Sequence, residues 1–133
     1  MNTGASSCFR ARNDYLQRYE QDRILVPAVR LDDYCREYDI RSIDLLCVDV
    51  QGAALQVLRS LGDQLRQVRN LIIELEHRPL YHGQSLFTEC DEFLVRNGFQ
   101  QKSRISRDDW FGDYLYVRSR DDAMKGQGGR MDL

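Results

Sequence analysis

The chemistry this sequence could do is concentrated where an apolar run ends in an acid and then a glycine. Ile43-Asp44-Leu45-Leu46-Cys47-Val48-Asp49-Val50 leads into Gln51-Gly52. A buried strand that ends this way sets its carboxylate at the edge of the sheet where α/β folds bind ligands. Asp49 could there accept a substrate proton, hold a metal or orient a hydroxyl nucleophile, each of which helps transfer to an oxygen or nitrogen. The plainer account is that Asp49 caps the following helix by satisfying its free N–H groups. Gly52 allows backbone to approach a ligand or a neighbouring element closely, or simply makes a turn.

Glu74 is the second acid, set inside Leu71-Ile72-Ile73-Glu74-Leu75. An ionised carboxylate in an apolar run is costly unless paired, which makes Glu74 a site candidate. Its plainer account is a strand-end residue pointing into water with Glu76 beside it. His77 and His82, the two histidines of the chain, flank Pro79 and Tyr81 in the loop that follows. Such a loop could position substrate, although an isolated loop histidine is commonly a solvated bystander. Cys8, Cys35, Cys47 and Cys90 are spaced too widely for the paired ligands of a zinc site, so no metal is expected. They read as reduced thiols, with Cys47 and Cys90 as small core residues.

The elements that must hold these residues follow from changes in apolar period. Ile24 to Arg30 is short, β-branched and broken by Pro27, as an edge strand or strand entrance would be. Leu31, Tyr34, Cys35 and Tyr38 fall at helical spacing with Asp32 placed to cap them. Ile43 to Val50 reads as a strand covered on both faces. Ala54, Val57, Leu58 and Leu61 return to helical spacing and stop at Gly62. Val68 to Glu76 repeats the buried-strand pattern. Thr88 with Asp91 resembles a capping box ahead of Cys90, Phe93 and Leu94, and Asn97-Gly98 closes that helix. Phe99 begins another strand, and Gly112 to Arg118 alternates as its antiparallel partner. Tyr114 and Tyr116 in that last strand read as packing residues rather than a stacking platform for bases. The order β-α-β-α-β-α-β-β argues an α/β sheet, parallel at first and ending in an antiparallel strand.

The chain has 133 residues, 19 basic against 21 acidic, and a net charge of -2. No overall field draws it onto nucleic acid or anionic lipid, so partners of those two kinds are not expected. No apolar run approaches the roughly 20 residues of a membrane helix and no signal core opens the sequence, so the expected compartment is the cytoplasm. Residues 1–23 are polar and expected to be poorly ordered, 24–118 form the α/β domain, and 119–133 read as a flexible tail.

Taken together, Leu31-Asp32-Asp33 and Ile43-Asp44-Leu45-Leu46-Cys47-Val48-Asp49-Val50-Gln51-Gly52-Ala53-Ala54-Leu55-Gln56-Val57-Leu58 resemble the signature of the FkbM family of methyltransferases. In that family the pattern reads approximately L-D-D, then I-D-L-L-K-I-D-V-x-G-A-E-x-x-V-L. Leu71-Ile72-Ile73-Glu74, Tyr81-His82-Gly83 and Asn97-Gly98-Phe99 match further motifs in order, and Asn2 to Ser7 is similar to an N-x-G-x-S-S segment. The resemblance covers most of residues 2–118. It implies a class I, Rossmann-like fold dependent on S-adenosylmethionine, with methyl transfer to an oxygen or nitrogen of a small metabolite or sugar.

The resemblance begins at an insertion after the family's third strand, so it implies the C-terminal half of that sheet, with parallel strands ending in an antiparallel pair. The glycine-rich turn and the acid that hold the cofactor in such enzymes have no counterpart here, so no cofactor-binding residue is expected. Cys47 and Ala54 stand where the family has lysine and glutamate, which removes two charges beside Asp49. Such a chain is expected to be truncated or split and inactive alone, or a non-catalytic remnant acting as an interaction or dimerisation module. The family's fourth strand pairs with its first, so Ile43 to Val50 would offer an open edge to a second copy or a partner chain.

Overall fold

The computed structural model describes residues 6–12, 21–106 and 108–119. Asn2 to Ala5, the aromatic residues Tyr15 and Tyr19, and the glycine-rich stretch at 126–129 lie outside them. The elements are α1 (Leu31–Glu37), β1 (Ile43–Val48), α2 (Ala54–Ser60), a 3-10 helix (Gly62–Gln67), β2 (Val68–Glu76), α3 (Phe87–Arg96), β3 (Phe99–Arg104) and β4 (Phe111–Arg118). This is an α/β arrangement built on one mixed sheet of four strands in the order β1-β2-β4-β3. The β1 and β2 strands are parallel, and β4 runs antiparallel to both β2 and β3. The expected parallel start and antiparallel finish are therefore present.

Alternation along the strands decides what each face does. Leu71, Ile73 and Leu75 of β2 lie beside Val48 of β1 and Tyr114 and Tyr116 of β4, all buried in one core with Leu58 of α2 and Leu94 of α3. Glu74 alternates with Ile73 and Leu75 and so leaves that face; its cross-strand partner is Asp113. Helix α3 lies on the sheet by Cys90 and Leu94, and the hydroxyl of Tyr116 donates to Asp91 at 2.6 Å.

Several expectations are corrected. Residues 24–30 form no strand, and Leu25 is 95% exposed. Strand propensity needs a neighbour to complete its hydrogen bonds, and among the described residues none pairs with this segment. The β1 strand is not covered on both faces. It stands at the sheet edge, Leu45 is 49% exposed, and Cys47 is an exposed thiol rather than a core residue. Helix α1 starts at Leu31, so Asp32 lies inside its first turn, paired with Arg30, instead of capping it. Tyr34 and Tyr38 face outward with their rings tilted against each other, while Leu31 and Cys35 carry the apolar packing of the helix. Helix α3 starts at Phe87, and Glu89 rather than Asp91 reaches back to the Leu86 amide at 3.0 Å. The 3-10 helix was not expected; it takes the chain from α2 into β2.

Among the described residues no helix is long and apolar enough to cross a membrane.

Candidate active site

The carboxyl ends of β1 and β2 bring Asp49, Glu74 and Glu76 toward one turn, Val50 to Ala53. The turn closes by a bond from the Ala53 amide to the Val50 carbonyl at 3.3 Å. Gln51 sits in it at φ 44° and Gly52 at φ 92°, conformations that carry a cost for side chains and favour glycine. Helix α2 opens with Ala53 at its cap and no side chain bonded there. Asp49 thus does not cap α2.

Asp49 is joined instead to Gln51. The Gln51 side-chain amide donates to Asp49 Oδ1 at 2.9 Å and to Glu74 Oε1 at 2.7 Å. Its own carbonyl oxygen accepts from the Tyr81 hydroxyl at 3.0 Å. Ser7 donates to the Gln51 backbone carbonyl at 2.6 Å, tying residues 6–12 to the same turn. Those residues also bury Ala11, which bridges to Tyr81. Gly52 is buried because the Tyr81 ring crosses it: a Cβ there would lie 3.0 Å from Tyr81 Cδ2 and 3.1 Å from Gln84 Cβ. Gly52 both turns the chain at positive φ and lies closely against a neighbouring element. Gln84 in turn holds the Leu80 and Tyr81 amides.

Two of the carboxyls are poised near neutrality. Burial pushes Glu74 up to about 7, helped by the charges of Asp49, Glu76 and Asp113 and by a hydrogen bond shared with Asp49. Burial also pushes Glu76 up to about 7, with the Asp49 charge adding to it while the Glu76 and Gly52 amides oppose it. Glu76 is 2% exposed and its Oε2 has no hydrogen-bond partner; a proton on that oxygen removes the charge. Asp49 and Glu74, joined through Gln51, form a carboxyl pair that can take a proton from a hydroxyl and pass it on. Among the described residues no group of three or more His, Cys, Asp or Glu is placed to hold a metal ion.

The histidines lie apart from this network. The His77 ring packs on Phe87 and Tyr114, and its Nε2 is 2.8 Å from the Tyr114 hydroxyl. Burial and the Arg104 charge lower its pKa, so the ring is neutral at pH 7. His82 is exposed, and its amide donates to the Arg10 carbonyl. Sequence reasoning missed Glu76, Tyr81 and Gln84 as parts of the site. Glu76 and Tyr81 had signals, an acid following a buried leucine and a place in a matched motif; Gln84 had none.

The model of the methyltransferase FkbM domain matches residues 3–101. The chain belongs to the FkbM methyltransferase family. The 2-O-methyltransferase NoeI of Sinorhizobium fredii (strain NBRC 101917 / NGR234) is 36% identical to it over 83 residues, which are 59% of this chain and 34% of NoeI. The FkbM domain here thus spans about a third of the length of that curated relative. No solved structure matches it. The family is one of methyltransferases, enzymes that in general take an electrophilic methyl group from S-adenosylmethionine. At the Gly52 turn the residues present leave no room for that cofactor. The space beside the Gly52 turn, where backbone could approach a ligand, is filled by Tyr81 and Gln84 of the chain itself.

Proposed function

We propose that the chain supplies the acceptor side of an S-adenosylmethionine-dependent methyltransferase that methylates an oxygen or nitrogen of a small metabolite or sugar. The observation that carries this reading is the Asp49-Gln51-Glu74 network at the carboxyl edge of the sheet, in a chain whose family transfers methyl groups. The 2-O activity in the name of NoeI favours a hydroxyl acceptor. Asp49 is exposed and can meet that hydroxyl, and Glu74, with its pKa raised to about 7, can share the proton released. Asp49, Glu74, Glu76 and Asp113 make this end acidic, which selects neutral acceptors over phosphorylated or carboxylated ones. His82, exposed in the loop that seats Tyr81, has room to touch an acceptor, whereas His77 is committed to Tyr114.

In this reading the chain is the C-terminal half of a class I, Rossmann-like sheet. The strand order, with antiparallel β4 set between β2 and β3, supports it. The donor is then held by a segment other than the described residues, paired along the free edge of β1 in the cytoplasm. A second reading, a non-catalytic module that associates through that edge, is favoured by the exposure of Leu45 and Cys47.

The deciding assay follows methyl transfer from labelled S-adenosylmethionine to neutral polyols by the full protein and by Asp49→Asn. Loss of about 100-fold or more in kcat is expected if Asp49 handles the acceptor proton. Unchanged turnover would remove Asp49 from catalysis, and no transfer by the wild type to any acceptor would favour the association module.

A further inference from the structure

Gln51 occupies the unspecified position of the D-V-x-G pattern, yet its side chain is fully used. Both N–H directions of the amide go to carboxylates, Asp49 at 2.9 Å and Glu74 at 2.7 Å, and its oxygen receives the Tyr81 hydroxyl at 3.0 Å. The backbone bearing it is in the left-handed region and is held from a third direction by Ser7. A surface glutamine needs none of this. The cost of the φ angle is offset by what the residue's side chain and carbonyl hold in place.

Two carboxylates side by side repel, and Asp49, being exposed, could swing into water. A neutral donor between them makes both charges tolerable and fixes their separation. The Tyr81 hydroxyl engages the amide oxygen, which holds the N–H groups toward the acids. Tyr81 is itself seated by its ring on Gly52 and by its amide on Gln84. Residues from two strands, the turn and the following loop therefore meet at one amide.

We propose that Gln51, oriented by Tyr81, is a positioning residue that clamps Asp49 and Glu74 into a proton-sharing pair. This rests on the acceptor-side reading for its purpose but not for its test. The charged or titratable groups around the clamp are Asp49 from the end of β1, Glu74 and Glu76 from β2, Asp113 from β4 and Tyr81 from the loop.

The test is a carboxyl-carbon NMR titration of the full chain, with Glu74 and Glu76 assigned through Glu74→Gln and Glu76→Gln. In Gln51→Met, which keeps the length of the side chain but loses the donors, the Glu74 midpoint is expected to rise by about one unit. Glu76, which Gln51 does not touch, should stay in place. Tyr81→Phe, which keeps the ring on Gly52 and frees the amide to turn, should raise the Glu74 midpoint by less. An unmoved Glu74 in folded Gln51→Met overturns the proposal, as does an equal shift of Glu74 and Glu76, which would mean general loosening. Should Gln51→Met not fold, an unmoved Glu74 in Tyr81→Phe overturns it. The titration needs neither methyl donor nor acceptor, so it can fail while methyl transfer stands, and the reverse.

Discussion

Glu76 places an ionisable oxygen where water does not reach, and that has a thermodynamic consequence of definite sign. Its carboxyl titrates near 7 in the fold against an ordinary value of 4.5. Between those values the folded chain keeps a proton that the unfolded chain has released, so Glu76 opposes folding increasingly as pH rises through 7. A displacement of this size is on the order of 3 kcal/mol above pH 8, fading below about pH 5. Glu74 acts in the same direction. Glu76→Gln should therefore raise the Tm relative to wild type at pH 8, with the gap closing at pH 5. Thermal unfolding at the two pH values measures this, and equal gaps would mean that Glu76 ionises as freely as a surface acid. Sequence pattern located Asp49 and Glu74 because both interrupt apolar runs. It could not show the bonds that unite them, since Gln51 meets Glu74 and Tyr81 across 23 and 30 positions of chain.

At the scale of elements, the turn between β1 and α2 depends on the loop that follows β2. Gly52 and Gly83 both have positive φ, 92° and 79°, but a Cβ on Gly52 would press into Tyr81 and Gln84, while one on Gly83 would meet nothing within 4 Å. Gly83→Ala should cost only the backbone preference, about 1 kcal/mol. Gly52→Ala carries that and the displacement of a buried ring, about 2 kcal/mol or more. Denaturant unfolding of the two variants separates these, and equal losses would mean that Tyr81 yields freely. The same contrast explains which elements were legible. The β2 strand was read with its full span, Val68 to Glu76, because a central strand is determined by its own apolar run. Residues 24–30 were misread because propensity records what a segment could pair with and not whether a partner is beside it. The apolar spacing points to helix α3, but the Thr88–Asp91 pattern places its start late: it begins at Phe87, which packs on the core, with Glu89 bonded to the Leu86 amide.

For the molecule as a whole, the side of β1 that no other described strand pairs with is the feature with the largest consequence. Leu45 and Cys47 stand exposed on an edge strand whose other side is paired to β2, and Ile24, Leu25, Val26 and Val29 stand exposed in the segment ahead of α1. An open apolar edge is a template for another strand, and a net charge of -2 offers little repulsion against it. Cys47 reports directly on that edge. In the chain by itself at low micromolar concentration, Cys8 and Cys47 should react with a thiol reagent without unfolding, while buried Cys35 and Cys90 should wait for it. As concentration rises, Cys47 should become protected together with an increase in mass by light scattering, and Cys8 should not. Leu45→Lys, which places a charge on the exposed side of β1, should abolish both changes while leaving the core intact, because Leu45 lies outside the buried cluster. Protection of Cys47 in a demonstrated monomer would show that another part of the same chain covers β1. Association that persists in Leu45→Lys would move the contact away from this edge, and with it the surface along which a donor-binding segment is proposed to pair.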